Sequence, residues 1–91
     1  FFSGSPIKRI GRDRFVRNVL IAVGNAGDPA HAAVAERLLD DPSPLVRAMA
    51  VWALSRLAAP QDLARLHASR GAREQNPDVL AEWRAALSPR A

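Results

Sequence analysis

The chain has 91 residues, 48% of them hydrophobic and 24% charged, and it contains no cysteine. That length fits one small domain with one modest core. The composition is too apolar for a disordered chain, and the missing cysteine excludes disulfides, zinc–thiolate sites and iron–sulfur ligation by these residues. The net charge is +4, and its surplus is local: residues 1–18 hold Lys8, Arg9, Arg12, Arg14 and Arg17 against Asp13 alone, while the remainder balances.

A concentrated basic stretch attracts polyanions through Coulomb steering and counterion release. It also fits packing against an acidic surface of an upstream domain, or simple solvation. No apolar run approaches a membrane span; the longest near the N-terminus is Val19–Val23. No signal peptide is visible and the first residue is Phe1, so the expectation is a piece of a longer protein.

In chain order, Phe1 to Gly11 carries Gly4, Pro6 and Gly11 and reads as an extended arm joining a missing upstream region. Phe1, Phe2 and Ile7 are apolar enough to dock on something. The first predicted helix covers 12–26, with Phe15, Val16, Val19, Leu20 and Val23 repeating at three and four. Gly24-Asn25-Ala26-Gly27 follows a helix, so it reads as a C-cap and not as a phosphate loop. Asp28-Pro29, Ser43-Pro44 and Asn76-Pro77 each place a capping side chain before a proline that loses no needed donor. They open helices over 29–39, 44–58 and 77–87; Pro60 marks another over 61–70, closed by Gly71.

Leu45, Met49 and Trp52 form one stripe of the third helix, with Val46, Ala50, Ala53, Leu54 and Leu57 beside it. Residues 70–76 read as a polar connector and 88–91 as a tail. Nothing alternates like a strand. The expectation is an all-α helical domain over 12–87.

The chain repeats itself. A shift of 30 lays Phe15-Val16-Arg17-Asn18-Val19-Leu20 on Leu45-Val46-Arg47-Ala48-Met49-Ala50, and a shift of 33 lays Ser43-Pro44 on Asn76-Pro77. Periods of this length built from helix pairs indicate an α-solenoid, in which stacked pairs bury faces no single pair can cover. The stretch Asp40-Asp41-Pro42-Ser43-Pro44-Leu45-Val46-Arg47 resembles the HEAT-repeat signature. The resemblance implies a HEAT-like solenoid of about five helices in antiparallel pairs, with a ladder of turn aspartates and helix arginines. Asp40 or Asp41 with Arg47 or Arg17 are the candidates; the alternative is that the aspartates only favour the helix N-terminus.

The stretch from Gly4-Ser5-Pro6-Ile7-Lys8-Arg9 through Gly11-Arg12-Asp13-Arg14 to Arg17-Asn18 is similar to the C-terminal region of the epoxyqueuosine reductases. That family joins a cobalamin-binding catalytic region and a region with two 4Fe–4S clusters to a HEAT-like tail. It removes the epoxide oxygen of the wobble nucleoside in tRNA. The resemblance implies a cytoplasmic, membrane-free tail domain, a tRNA partner, and an upstream catalytic region in the same polypeptide. No catalytic residue carries over. What carries over is the basic set Lys8, Arg9, Arg12, Arg14 and Arg17, whose simplest role toward tRNA is phosphate contact. The rival reading is a HEAT module that binds protein. A third, a regulator of the phycobilin-lyase-like kind, has no specific residues behind it.

His31 and His67 lack the spacing of metal ligands. No nucleophile elbow is readable. Trp52 and Trp83 read as packing residues rather than base-stacking platforms.

Overall fold

At three helix starts an oxygen of the residue before proline accepts amide hydrogens of the first turn. The Asp28 carboxylate accepts from the Ala30 amide at 3.0 Å, Ser43 Oγ from Val46 at 3.4 Å, and Asn76 Oδ1 from Asp78 and Val79 at 2.9 and 3.3 Å. These bonds satisfy donors that a helix leaves free at its start.

The computed structural model describes residues 6–88, with side chains from residue 11 onward. Its elements are α1 (Pro6–Ala26), a 3-10 turn (Pro29–His31), α2 (Ala32–Leu38), α3 (Pro44–Leu57), α4 (Pro60–Ser69), a 3-10 turn (Gly71–Arg73) and α5 (Pro77–Leu87). No strand occurs among the described residues.

Helix α3 is the centre. It packs between α1 on one flank and α5 on the other, with α2 and α4 also against it. Its side chains reflect this position: Val46, Ala50, Val51, Ala53, Leu54 and Leu57 are all buried. Leu20 of α1, Ala35 of α2, Leu63 and Leu66 of α4, and Val79 and Trp83 of α5 complete the core. Each fully buried leucine or valine contributes roughly 1.5–3 kcal/mol of transfer free energy.

Two element boundaries change. Helix α1 begins at Pro6, so residues 6–11 are helical and not an extended arm. Proline is well placed in a first turn, and a single glycine such as Gly11 lowers helix propensity without breaking the helix. The remainder of that arm, with Phe1 and Phe2, lies outside the described residues, as do residues 89–91 of the tail. The second helix opens as a 3-10 turn, so α2 proper starts at Ala32.

Glycine roles also differ. Gly27, at φ +69°, takes the left-handed conformation that ends α1. Gly24 belongs to the helix itself and is buried against the Trp52 ring: an added Cβ would lie 2.5 Å from Cζ3. Gly71 opens a 3-10 turn, pressed against the His67 ring, rather than ending α4 in the left-handed region.

Candidate nucleic-acid interface

The basic residues of α1 divide by helix face. Arg12 turns toward the loop before α3, where its Nη2 and Nη1 donate to the two carboxylate oxygens of Asp41 at 2.6 and 2.9 Å. Nη1 also reaches Asp13 at 3.1 Å. Arg12 is therefore committed to a bidentate ion pair, which removes it from the freely available cations. Arg14 is exposed on the opposite face. Arg17 is half-buried; its Nη2 donates to Asn18 Oδ1 at 3.1 Å, and its Nε is buried with no hydrogen-bond partner among the described residues. The side chains of Lys8 and Arg9 lie outside the described residues.

The ladder has different rungs from those expected. Asp41 pairs with Arg12, neither with Arg17 nor through its carboxylate with Arg47. Arg47 instead clamps Glu74, with Nε and Nη2 donating to the two carboxylate oxygens at 2.9 and 3.1 Å. Its Nη1 donates to the backbone carbonyls of Asp41 and Pro42, so Arg47 closes its own turn while reaching the next. Asp40 pairs with Arg70, whose guanidinium also stands 3.7 Å from Glu36.

Sequence reading missed Glu74, placed in a polar connector. A signal was present: the offset that lays Asn76 on Ser43 also lays Glu74 on Asp41. The two acids do the same work. Asp41 accepts the Ser43 amide and Glu74 the Asn76 amide, each two residues ahead, at 2.9 and 3.0 Å. Each acid thus shapes the turn into the next helix and receives an arginine from the first helix of the preceding pair, Arg12 of α1 or Arg47 of α3.

Burial acts against the charge of Asp41 more than any other single influence. The Arg12 hydrogen bonds, the Ser43 amide and the positive charges of Arg12 and Arg47 together outweigh it and hold the carboxyl below its usual range. Glu74 is held low chiefly by its hydrogen bonds to Arg47, against burial. The Asp41 bond, with a smaller share from Asp13, raises the Arg12 guanidinium further above its already high range.

A cleft of about 350 Å³ beside the second rung is lined by Arg47, Arg70 and Arg73 together with Asp40 and Glu74. Arg47 and Arg70 are each bound to one of those carboxylates. Charges matched this closely make a poor anion site despite the three arginines. The outer face of α1 contrasts with it. The exposed positions Arg14, Phe15, Asn18, Val19 and Ala22 share one side of the helix and include no carboxylate.

The remaining singled-out residues serve packing. Trp52 is partly buried on Gly24, with the Arg56 guanidinium 5.4 Å from its ring centroid. Arg56 Nε also donates to the Gly24 carbonyl at 3.2 Å. Trp83 is buried, and His67 meets it edge-on at 5.3 Å between ring centroids. His31 is exposed. Among the described residues no group of three histidine, cysteine or acidic side chains is placed to hold a metal ion, and no helix is long and apolar enough to cross a membrane.

Comparison with known proteins agrees with this architecture. A HEAT-repeat family model matches residues 12–88. The chain is similar to the epoxyqueuosine reductases of Alicycliphilus denitrificans (41% identity over 61 residues) and Xanthomonas campestris pv. campestris (44% over 54), each match covering 57% of this chain. It is also similar to that of Burkholderia pseudomallei, at 44% over 64 residues and 56% of this chain. The matches span only 15 to 17% of those relatives' own length. No solved structure matches the chain. With its period, its ladder and the family match over nearly the whole described length, the chain belongs to the HEAT-repeat family.

Proposed function

We propose that this chain is a non-catalytic HEAT-like domain of an epoxyqueuosine reductase, serving as a scaffold for the catalytic part and as a contact for tRNA. The observation that carries the parentage is the 41–44% identity to three proteins of that name. The tRNA contact rests on the charge surplus confined to residues 1–18 and on the carboxylate-free outer face of α1 with exposed Arg14. Lys8, Arg9, Arg14 and Arg17 are the contacting set. Arg12 supports it by fixing α1 on α3.

The 4Fe–4S clusters that such an enzyme requires do not fit these residues, because the chain has no cysteine to ligate iron. Clusters, cobalamin and the reduction of the epoxide fall to another part of the polypeptide, and no step of that chemistry is assigned to this chain. A second reading, a protein-binding HEAT module, draws on the exposed apolar residues Phe15, Val19 and Leu45.

The test is tRNA affinity as a function of salt, for the unaltered chain and for a variant with Lys8, Arg9, Arg14 and Arg17 changed to Glu. The expected result is tight binding at low salt that falls as salt rises, with a slope lowered by about 0.7–0.9 per phosphate contact removed in the variant. Equal affinity of the two proteins for tRNA would refute the contact. Comparable binding of the unaltered chain to an acidic protein would favour the second reading.

A further inference from the structure

Phe15 is 69% exposed, well beyond Val19, Leu45 and Leu87, the other exposed large apolar side chains among the described residues. Exposure at the end of a solenoid has a simple explanation, a neighbouring helix that is not there. The internal repeat tests that explanation residue by residue. The offset that lays Phe15 on Leu45 lays buried Leu20 on buried Ala50, and exposed Val19 on Met49, which packs partly against the core. Among the described residues α1 has no helix on its outer flank, and Val19 is open there. Phe15 is different. Its counterpart Leu45 remains 42% exposed although α3 is flanked by α1 and α5. The row of Phe15 and Leu45 faces solvent by construction, not for want of a neighbour.

A solvent-facing aromatic needs another account. Phe15 stands beside exposed Arg14, one turn before Asn18, in the stretch that holds the whole charge surplus, on a helix face without a carboxylate. Charge complementarity therefore favours a polyanion as the occupant. An aromatic face next to an exposed guanidinium suits an unpaired base and its phosphate: the ring stacks the base, the cation binds the backbone. We infer that Phe15 is a stacking platform for an unpaired nucleotide of RNA, with Arg14 holding the adjoining phosphate. This rests on the tRNA reading above and adds to it the kind of nucleotide contacted, one splayed out of a loop rather than paired in a stem.

The experiment compares binding of two labelled RNAs to the 91-residue chain: an anticodon-type hairpin with an unpaired loop, and a blunt duplex of the same stem. Phe15→Ala, Phe15→Leu, Phe15→Trp and Arg14→Gln are assayed beside the unaltered protein, with thermal melts to verify folding. Stacking predicts about tenfold weaker hairpin binding for both Phe15→Ala and Phe15→Leu, retention by Phe15→Trp, and no change toward the duplex. Arg14→Gln weakens binding to both RNAs and lowers the salt slope by about one contact. Hairpin binding that survives Phe15→Ala overturns the stacking role while leaving the tRNA contact standing. Hairpin binding lost in Phe15→Ala but kept in Phe15→Leu overturns it in favour of a plain apolar contact. Absence of salt-dependent RNA binding by the unaltered chain overturns both the inference and the reading beneath it.

Discussion

At matching places in α1 and α3 stand Arg17 and Arg47, and their surroundings divide them. Arg47 lies between two turns and donates to two carbonyls and a carboxylate. Among the described residues Arg17 donates only to Asn18, and the carboxylate of Asp41 is held by Arg12, five residues earlier. The same division runs through the apolar residues. Met49 and Trp52 of α3 pack on neighbours, whereas Val19 and Ala22 at the matching places of α1 are exposed. A repeated sequence pattern fixes which residues form the helix and which side is buried. What each charge does depends on the neighbour it meets.

The largest test of this contrast is in the core. Leu54→Ala in doubly flanked α3 is expected to cost about 3–4 kcal/mol in urea unfolding, and Leu20→Ala in singly flanked α1 about 2–3 kcal/mol, since the latter cavity can relax toward the open side. Equal costs would mean that the outer flank of α1 is as constrained as the centre.

The rungs come next. Asp41→Asn is expected to destabilise by about 2 kcal/mol at neutral pH and Glu74→Gln by about 1 kcal/mol, the former leaving Arg12 facing a buried amide. Both carboxyls are held low in the folded state. Their stabilisation is therefore fully present above the ordinary carboxylate range, about pH 4–5, and lost as pH falls through the lowered folded-state values. Unfolding free energy measured from pH 7 down to pH 2 should fall less steeply in either variant than in the unaltered chain, and the gap should close at the acid end. A gap independent of pH would assign the effect to packing.

The smallest effect is at Gly24. Alanine gains about 1 kcal/mol of helix propensity, but its Cβ collides with the Trp52 ring, and overpacking costs about 1–3 kcal/mol. Net destabilisation of about 1 kcal/mol is expected, removed when Trp52 is also changed to Leu. Persistence of the loss in the double variant would place the strain elsewhere.

Much of this architecture can be read before any coordinates. Capping residue followed by proline located three helix starts because that chemistry is local. The period of α3 marked Val46, Ala50, Ala53, Leu54 and Leu57, which are buried, but it also put Leu45 on the apolar stripe, where the structure leaves it exposed, and it passed over buried Val51. The helical stretch 6–11 was missed because Pro6 and Gly11 each carry two meanings, breaker or first-turn residue, which only the context separates. Ladder partners were misassigned for another reason. The distance along the chain that separates arginine from acid differs between the rungs, from Arg12 to Asp41 and from Arg47 to Glu74, and no single offset predicts both. The face of α1 that each arginine occupies was hidden in the net charge, which counts Arg12 and Arg14 alike.

The two attachments of α1 to α3 have a mechanical consequence. Arg12 grips the loop at the start of α3, and Arg56 near the end of α3 grips the Gly24 carbonyl. Arg12 and Gly24 are about 18 Å apart along the helix axis. A rod pinned at two such points cannot swivel about either one. A load applied near its beginning must either break the first pin or tilt α1 and α3 together. Motion imposed at residues 6–11 would therefore reach the middle of the molecule as a rigid displacement, not as the unravelling of a loose end.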